Sequence, residues 1–268
     1  MRRGKSGRRK WPRLLAAGAT LLLGSAALGC QSGGIWDDIK NREFRVLDVF
    51  NRQDPMTVLN TSTNGDDRAK AMRKLKEPLQ NGGTQEQQDK MMQILTESAT
   101  TDNRPLCRLA AIDALNKMKD PRATPALIQA YNNASAFQLD VAKAIRVDAV
   151  TGLGTRTEPD AVALLIRAAT DPGIEIAPQS VQPVSFLRDK NRPSQDADVE
   201  KALARDIRLA AIRSLVESRS PKATEALIPL LGEKDIAIRD RAQEALEAIT
   251  GRKGIPAEPK AWQEALGK

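Results

Sequence analysis

The chain has 268 residues, 41% hydrophobic and 3% aromatic, with 42 Lys+Arg against 34 Asp+Glu and a formal charge of +8. It contains no histidine and only two cysteines. This removes the commonest general base, the commonest metal ligand and every Ser-His or Cys-His nucleophile, leaving carboxylate-only chemistry as the route to catalysis.

Residues 1–29 read as an export signal. Arg2, Arg3, Lys5, Arg8, Arg9, Lys10 and Arg13 form a basic start without acids, and Leu14 to Leu28 is apolar and small. The apolar run is shorter than the roughly 20 residues that a membrane span requires. Ala27-Leu28-Gly29-Cys30 resembles the bacterial lipobox and departs from it at Ala27, where that motif prefers leucine. The resemblance implies cleavage before Cys30 and lipid attachment to its thiol; the competing reading is an ordinary signal peptide with an incidental cysteine. Seven cations and no acid leave with residues 1–29, so 35 of the 42 cations face 34 acids in the remainder. A near-neutral mature chain lacks the general electrostatic footprint of a nucleic-acid binder.

Residues 30–65 are expected to form a tether and an N-terminal capping segment. Gln31 to Gly34 is a short flexible link, and Trp36 to Leu59 carries Ile39, Phe44, Val46, Leu47, Val49, Phe50, Val58 and Leu59. That density of apolar residues predicts helical turns packed on the first repeat, with a break near Pro55; the alternative is an exposed hook for a partner.

From residue 66 onward the word Arg-x-x-Ala-x-x-(small or polar)-Leu recurs, starting at Arg68, Arg108, Arg146, Arg208 and Arg239. Thirteen residues after Arg108, Arg146 and Arg208 stand Pro121, Pro159 and Pro221, and five to seven residues further come Ala126-Leu127-Ile128, Leu164-Leu165-Ile166 and Ala226-Leu227-Ile228. Each unit predicts two antiparallel helices. The first carries an apolar stripe (Leu109, Ala111, Ile112, Leu115), and the second has proline just inside its start. Asp120, Glu158 and Ser220 are expected as N-cap or first-turn acceptors. Stacked hairpins of this length bury a shared face, as in a solenoid. Cys107, inside the apolar pattern, is expected in the core.

Asp206 to Leu215 followed by Ser220 to Leu231 resembles a HEAT repeat of the short type also found in phycobilin lyases. The likeness extends over about residues 66 to 250, and the tail from Thr250-Gly251 to Trp262 is similar to endings common in bacterial HEAT-repeat proteins. The resemblance implies an all-α fold, an α-solenoid of about five HEAT-like helical hairpins over 66–268. It further implies that Arg108, Arg146, Arg208 and Arg239 brace adjacent repeats through acids such as Asp206 or Asp235.

The repeat arginines are spaced 40, 38, 62 and 31 residues apart. The long interval contains an irregular segment, about 173–196, with Pro178, Pro183 and Pro193. It reads as a lost repeat or an inserted loop, and the prolines favour a loop. Its apolar residues Val181, Val184, Phe186 and Leu187 either tuck onto the solenoid or bind a partner. In the last repeat Asp240 and Gln243 replace stripe residues, as suits a terminal unit, and Trp262 is expected to fold over the end.

These features predict a non-enzymatic, lipid-anchored scaffold or adaptor mediating protein–protein interactions in the bacterial cell envelope. Gln129, Arg167 and Glu225 lie on the second-helix face that would meet a partner. The alternatives are a phycobilin-lyase-like enzyme and a passive structural lipoprotein with no specific ligand. No nucleic acid, small-molecule substrate, metal or cofactor is expected. The chain is expected to face the periplasm, on the outer membrane because Gln31 replaces the aspartate that signals inner-membrane retention.

Overall fold

The structure, a computed structural model, describes residues 54–171 and 193–267, all within one compact unit, Gln53–Lys268. Cys30, the signal 1–29, the tether 31–34, the apolar stretch 36–50 and the residues 172–192 lie outside the described residues.

Every regular element among the described residues is helical: α1 (Pro55–Thr61), α2 (Gly65–Lys74), α3 (Gln85–Thr101), α4 (Pro105–Lys117), α5 (Ala123–Asn132), α6 (Leu139–Leu153), α7 (Pro159–Thr170), α8 (Pro193–Ser218), α9 (Pro221–Leu227), α10 (Ile236–Thr250) and α11 (Pro259–Ala265). Even-numbered helices α2 to α10 pack side by side in chain order to form a first layer. Helices α3, α5, α7 and α9 pack likewise in a second layer, and α11 rests on the 3-10 turn Ile228–Gly232 that extends α9. The result is an all-α solenoid of stacked hairpins.

Local sequence explains the boundaries. Pro55 starts α1, and Asp54 caps that helix by accepting from Thr57 N at 2.9 Å, so the break expected near Pro55 is a helix start. Thr84 and Gln87 form a reciprocal capping box on α3. Asp235 caps α10, and Gly251 ends it with φ of 70°, a backbone that costs glycine nothing. Pro159 and Pro221 occupy first-turn positions, whereas Pro121 precedes α5 by two residues. Glu158 and Ser220 sit at N-cap positions, but neither side chain caps its helix. Glu158 is drawn aside by the hydroxyl of Thr124 in the neighbouring repeat. Pro229 cannot donate to an α-helical ladder, and the second helix of that repeat tightens into the 3-10 turn there.

One apolar seam runs through the stack, from Leu59 and Met72 through Leu95, Leu115, Leu127, Leu153, Leu165, Ile207 and Leu215 to Leu246 and Trp262. Alanine and methionine fill it in place of aromatics, so helices approach closely. Leu127, Leu165 and Leu227 are fully buried, but Ile128 and Ile166 are only half-buried. Gly152 is required by packing: an added Cβ would overlap the Asn116 side chain, whose Nδ2 donates to Asp148 O at 3.1 Å. Cys107 is buried with Sγ 3.4 Å from Gly65 O, and burial pushes its thiol up.

Among the described residues no hairpin stands between α6 and α8, which pack directly on each other, and α7 packs on α9. Residues 193–196, read from sequence as part of the loop, belong to α8, which runs for several turns before reaching Arg208. At the C-terminal end, Trp262 is fully buried and donates Nε1 to Gln243 Oε1 at 2.8 Å. Gln243 Nε2 in turn donates to Ile255 O at 2.9 Å. The polar stripe residue is therefore an acceptor and donor for the tail that covers it.

Candidate functional site

The repeat arginines are turned inward. Arg108, Arg146 and Arg208 are 3%, 5% and 6% exposed, a burial that a guanidinium tolerates only when hydrogen-bonded. Each donates to a carbonyl near the C-terminal end of the preceding second-layer helix: Arg108 Nε to Asp102 O at 2.8 Å, Arg146 Nε to Tyr131 O at 3.4 Å and Arg208 Nε to Ala169 O at 2.9 Å. Arg68 Nη1 does the same to Leu59 O of α1 at 2.6 Å. The last carbonyls of a helix lack intrahelical donors and carry its partial negative charge, so a buried cation there satisfies both needs. Two of these guanidinium groups also lie over rings: Arg108 is 4.8 Å from the Phe137 centroid and Arg146 is 5.4 Å from that of Tyr131.

The expected bracing through Asp206 and Asp235 is corrected. Asp206 pairs with Lys143 at 3.2 Å, and Asp235 is committed to the backbone of α10. The acid that does meet a repeat arginine is Glu233, 2.6 Å from Arg208 Nη2. Arg239 is half-buried and its guanidinium makes no hydrogen bond among the described residues. The carbonyl of Leu230, in the preceding 3-10 turn, is already taken by Glu233 N.

Alternating layers place all first-to-second turns on one edge and all second-to-first turns on the other, and polar contacts lace each edge. On the first edge, Glu77 accepts from Lys119 N at 2.9 Å and from Gln88 Nε2 at 3.2 Å, and Gln88 Nε2 also donates to Asp120 Oδ2 at 2.8 Å. Arg122 chelates Asp120 and reaches Asp89 at 2.7 Å. The Arg122 guanidinium, followed by the Gln88 amide, holds the Asp120 carboxyl far below the usual range against the opposing effect of burial. Arg156 Nη2 donates to Leu115 O at 3.0 Å and Met118 O at 2.6 Å, closing the end of α4. On the second edge, Arg104 Nη1 reaches Thr63 O at 3.0 Å and Asn133 Nδ2 reaches Thr100 O at 3.1 Å.

Of the second-helix residues expected to face a partner, Gln129, Arg167 and Glu225 are all exposed. Arg167 Nη2 donates to Asn132 Oδ1 at 3.1 Å, linking α7 to α5. Tyr131 is buried except at its margin, and burial raises its hydroxyl. Sequence reasoning missed Arg156 and the Glu77–Gln88–Asp120 cluster, whose contacts between hairpins join residues 32 to 42 apart. A faint signal existed in Asp120-Pro121-Arg122, where acid and base flank the proline that ends a turn. Also missed was Asp148, half-buried on α6; desolvation, then the nearby Asp113 charge, raises its carboxyl.

Fold and arginine ladder together define an all-α helical-repeat protein. Residues 108–133 match the family model described as PBS lyase HEAT-like repeat. This span covers α4 and α5, the hairpin headed by Arg108. No curated protein and no solved structure matches the chain.

Proposed function

We propose that the chain is an exported, lipid-anchored scaffold or adaptor that holds protein partners in the bacterial cell envelope and performs no catalysis. The observation that carries this reading is the division of labour in the repeats. The buried arginines and the acids clustered with them are engaged in joining one hairpin to the next, while the second-layer surface around Gln129, Arg167 and Glu225 is left facing solvent. Stacked hairpins of this kind serve as extended binding surfaces. The anchor rests on the basic start, the short apolar run and Gly29-Cys30. Absence of histidine from the whole chain supports the non-enzymatic reading.

Two measurements test the two halves separately. Radiolabelled palmitate is expected to enter the wild-type chain and not Cys30→Ala, and the variant is expected to leave the membrane fraction. Photo-crosslinkers at positions 129 and 167 in intact cells are expected to capture one recurrent protein. Label retained by Cys30→Ala removes the anchor, and crosslinks that recover no recurrent protein remove the scaffold.

A further inference from the structure

The near-neutral charge outside residues 1–29 hides a separation of sign across the stack. Along the edge of first-to-second turns stand Arg73, Lys74, Lys119, Arg219, Lys222 and Lys253, all exposed and none in an ion pair among the described residues. The opposite edge exposes Asp66, Asp67 and Asp140, with Lys234 as an exposed cation in its last turn. Helix dipoles do not account for the excess. First-layer C-termini favour cations on the basic edge, but second-layer N-termini meet them there and favour acids. The first three turns are held in line by the contacts from Glu77 to Lys119, from Asp89 to Arg122, from Thr124 to Glu158 and from Arg156 to Met118, and the stacking of the helices carries the line on to the last two. With neighbouring helices about 10 Å apart, the line is about 40 Å long. The cations fail at the middle turn, where Arg156 points inward and Glu158 and Asp160 stand instead, and exposed Glu86 and Glu258 interrupt the line at its first and last turns.

We infer that this basic edge lies against an anionic phospholipid surface. The inference rests on the anchored reading above and deepens it by saying which side of the solenoid faces the bilayer. A protein partner of the kind that binds tightly is met by aromatic or other large apolar anchors in a pocket. The six cations are spread over four turns, and the large apolar residue exposed on this edge among the described residues, Leu79, stands alone in the first of them. A diffuse anionic plane asks only for solvated cations within a Debye length, each contributing about 1 kcal/mol, or a factor of about 5 in partition. With the basic edge down, the acidic edge points away from the bilayer and the second-layer surface stands beside it, open to partners.

The test uses the full chain and two variants, Arg73→Gln/Lys74→Gln/Lys119→Gln and Asp66→Asn/Asp67→Asn/Asp140→Asn. Each is sedimented with vesicles of phosphatidylcholine alone or mixed with phosphatidylglycerol. All three share the basic residues 1–29, so differences between them report on the edges. The basic-edge variant is expected to partition onto the anionic vesicles about 100-fold less and with a shallower salt dependence. The acidic-edge variant is expected to bind at least as well as wild type. Far-UV circular dichroism and the urea midpoint confirm that each variant folds; a basic-edge variant that unfolds is replaced by Arg219→Gln/Lys222→Gln/Lys253→Gln, for which the same loss is expected. Unchanged partition of a folded basic-edge variant overturns the inference. So does equal binding of wild type to neutral vesicles, or a loss seen only with polyglutamate or duplex DNA, which would identify an acidic protein or nucleic acid. Palmitate labelling at Cys30 is read independently, so failure of the anchor and failure of the edge give different results.

Discussion

Replacing Arg208 by alanine is expected to destabilise the stack by about 3 kcal/mol. Two hydrogen bonds are lost, to Ala169 O at 2.9 Å and to Glu233 Oε1 at 2.6 Å. A hydrogen bond from a charged donor contributes about 1.5–3 kcal/mol. Here the carbonyl bond dominates, because it lies on the buried side and leaves an orphan acceptor at the end of α7. The Glu233 side chain is 32% exposed, so its carboxylate rehydrates and its share is discounted to about 0.5–1 kcal/mol. Loss of the packed alkyl stem adds a cavity term, offset in part by release from burying a guanidinium. For a domain of this size 3 kcal/mol corresponds to a fall in Tm of about 6–12 °C. Urea and thermal unfolding followed at 222 nm measure it. Arg208→Lys, which keeps the charge without the planar fork, is expected to fall between wild type and alanine. A loss within about 0.5 kcal/mol of zero refutes the capping role of the arginine ladder. Glu233→Gln costing as much as Arg208→Ala would instead make the ion pair, and not the carbonyl, the main contact.

Gly152→Ala is expected to cost about 2–3 kcal/mol, because the new methyl meets Asn116; adding Asn116→Ala should restore part of it in a double-mutant cycle. Asp148 has a carboxyl raised above its ordinary value. Its native state therefore binds the proton more tightly than the unfolded chain. The stabilising contribution is complete below the unfolded value and is lost as pH rises through the folded one. Asp148→Asn should stabilise the protein at pH 7 relative to wild type, with the gap closing on acidification, as read from urea midpoints across pH. Asp120 behaves oppositely: its carboxyl is held low, so its contribution is present above the unfolded value and is lost as pH falls below it. Asp120→Asn should flatten that acid limb. Arg219 has φ of 48°, a left-handed conformation, and Arg219→Gly should gain about 0.5–1 kcal/mol by differential scanning calorimetry. Trp262→Ala should cost about 3–5 kcal/mol, with amide hydrogen exchange rising first in α10.

The recurring arginine word made the first helix of every hairpin legible, because amphipathic spacing and a periodic landmark are both local in sequence. Gly152 shows where local reading stops. Its place in the word said only that a small residue belongs there, and the reason for glycine is Asn116 on the previous first-layer helix. The acids Asp206 and Asp235 were the partners that the family resemblance implied for the repeat arginines, yet both had nearer obligations to Lys143 and to the backbone of α10. Carbonyls won four of the five repeat arginines because the preceding helix end supplies one at the same place in each of those repeats, and no residue type marks a carbonyl in a sequence.

The amino-acid order alone determined that the chain forms helical hairpins, how many arginine-headed units it has, and that it lacks histidine chemistry. Periodic burial and residue identity are one-dimensional properties and can be read without coordinates. Only the folded stack decided what the arginines hold, that α6 meets α8 across the long insertion, and that the turns align into a basic edge and an acidic one. Those facts depend on residues some 30 to 60 positions apart meeting across neighbouring helices, and the geometry of stacking fixes which of them meet.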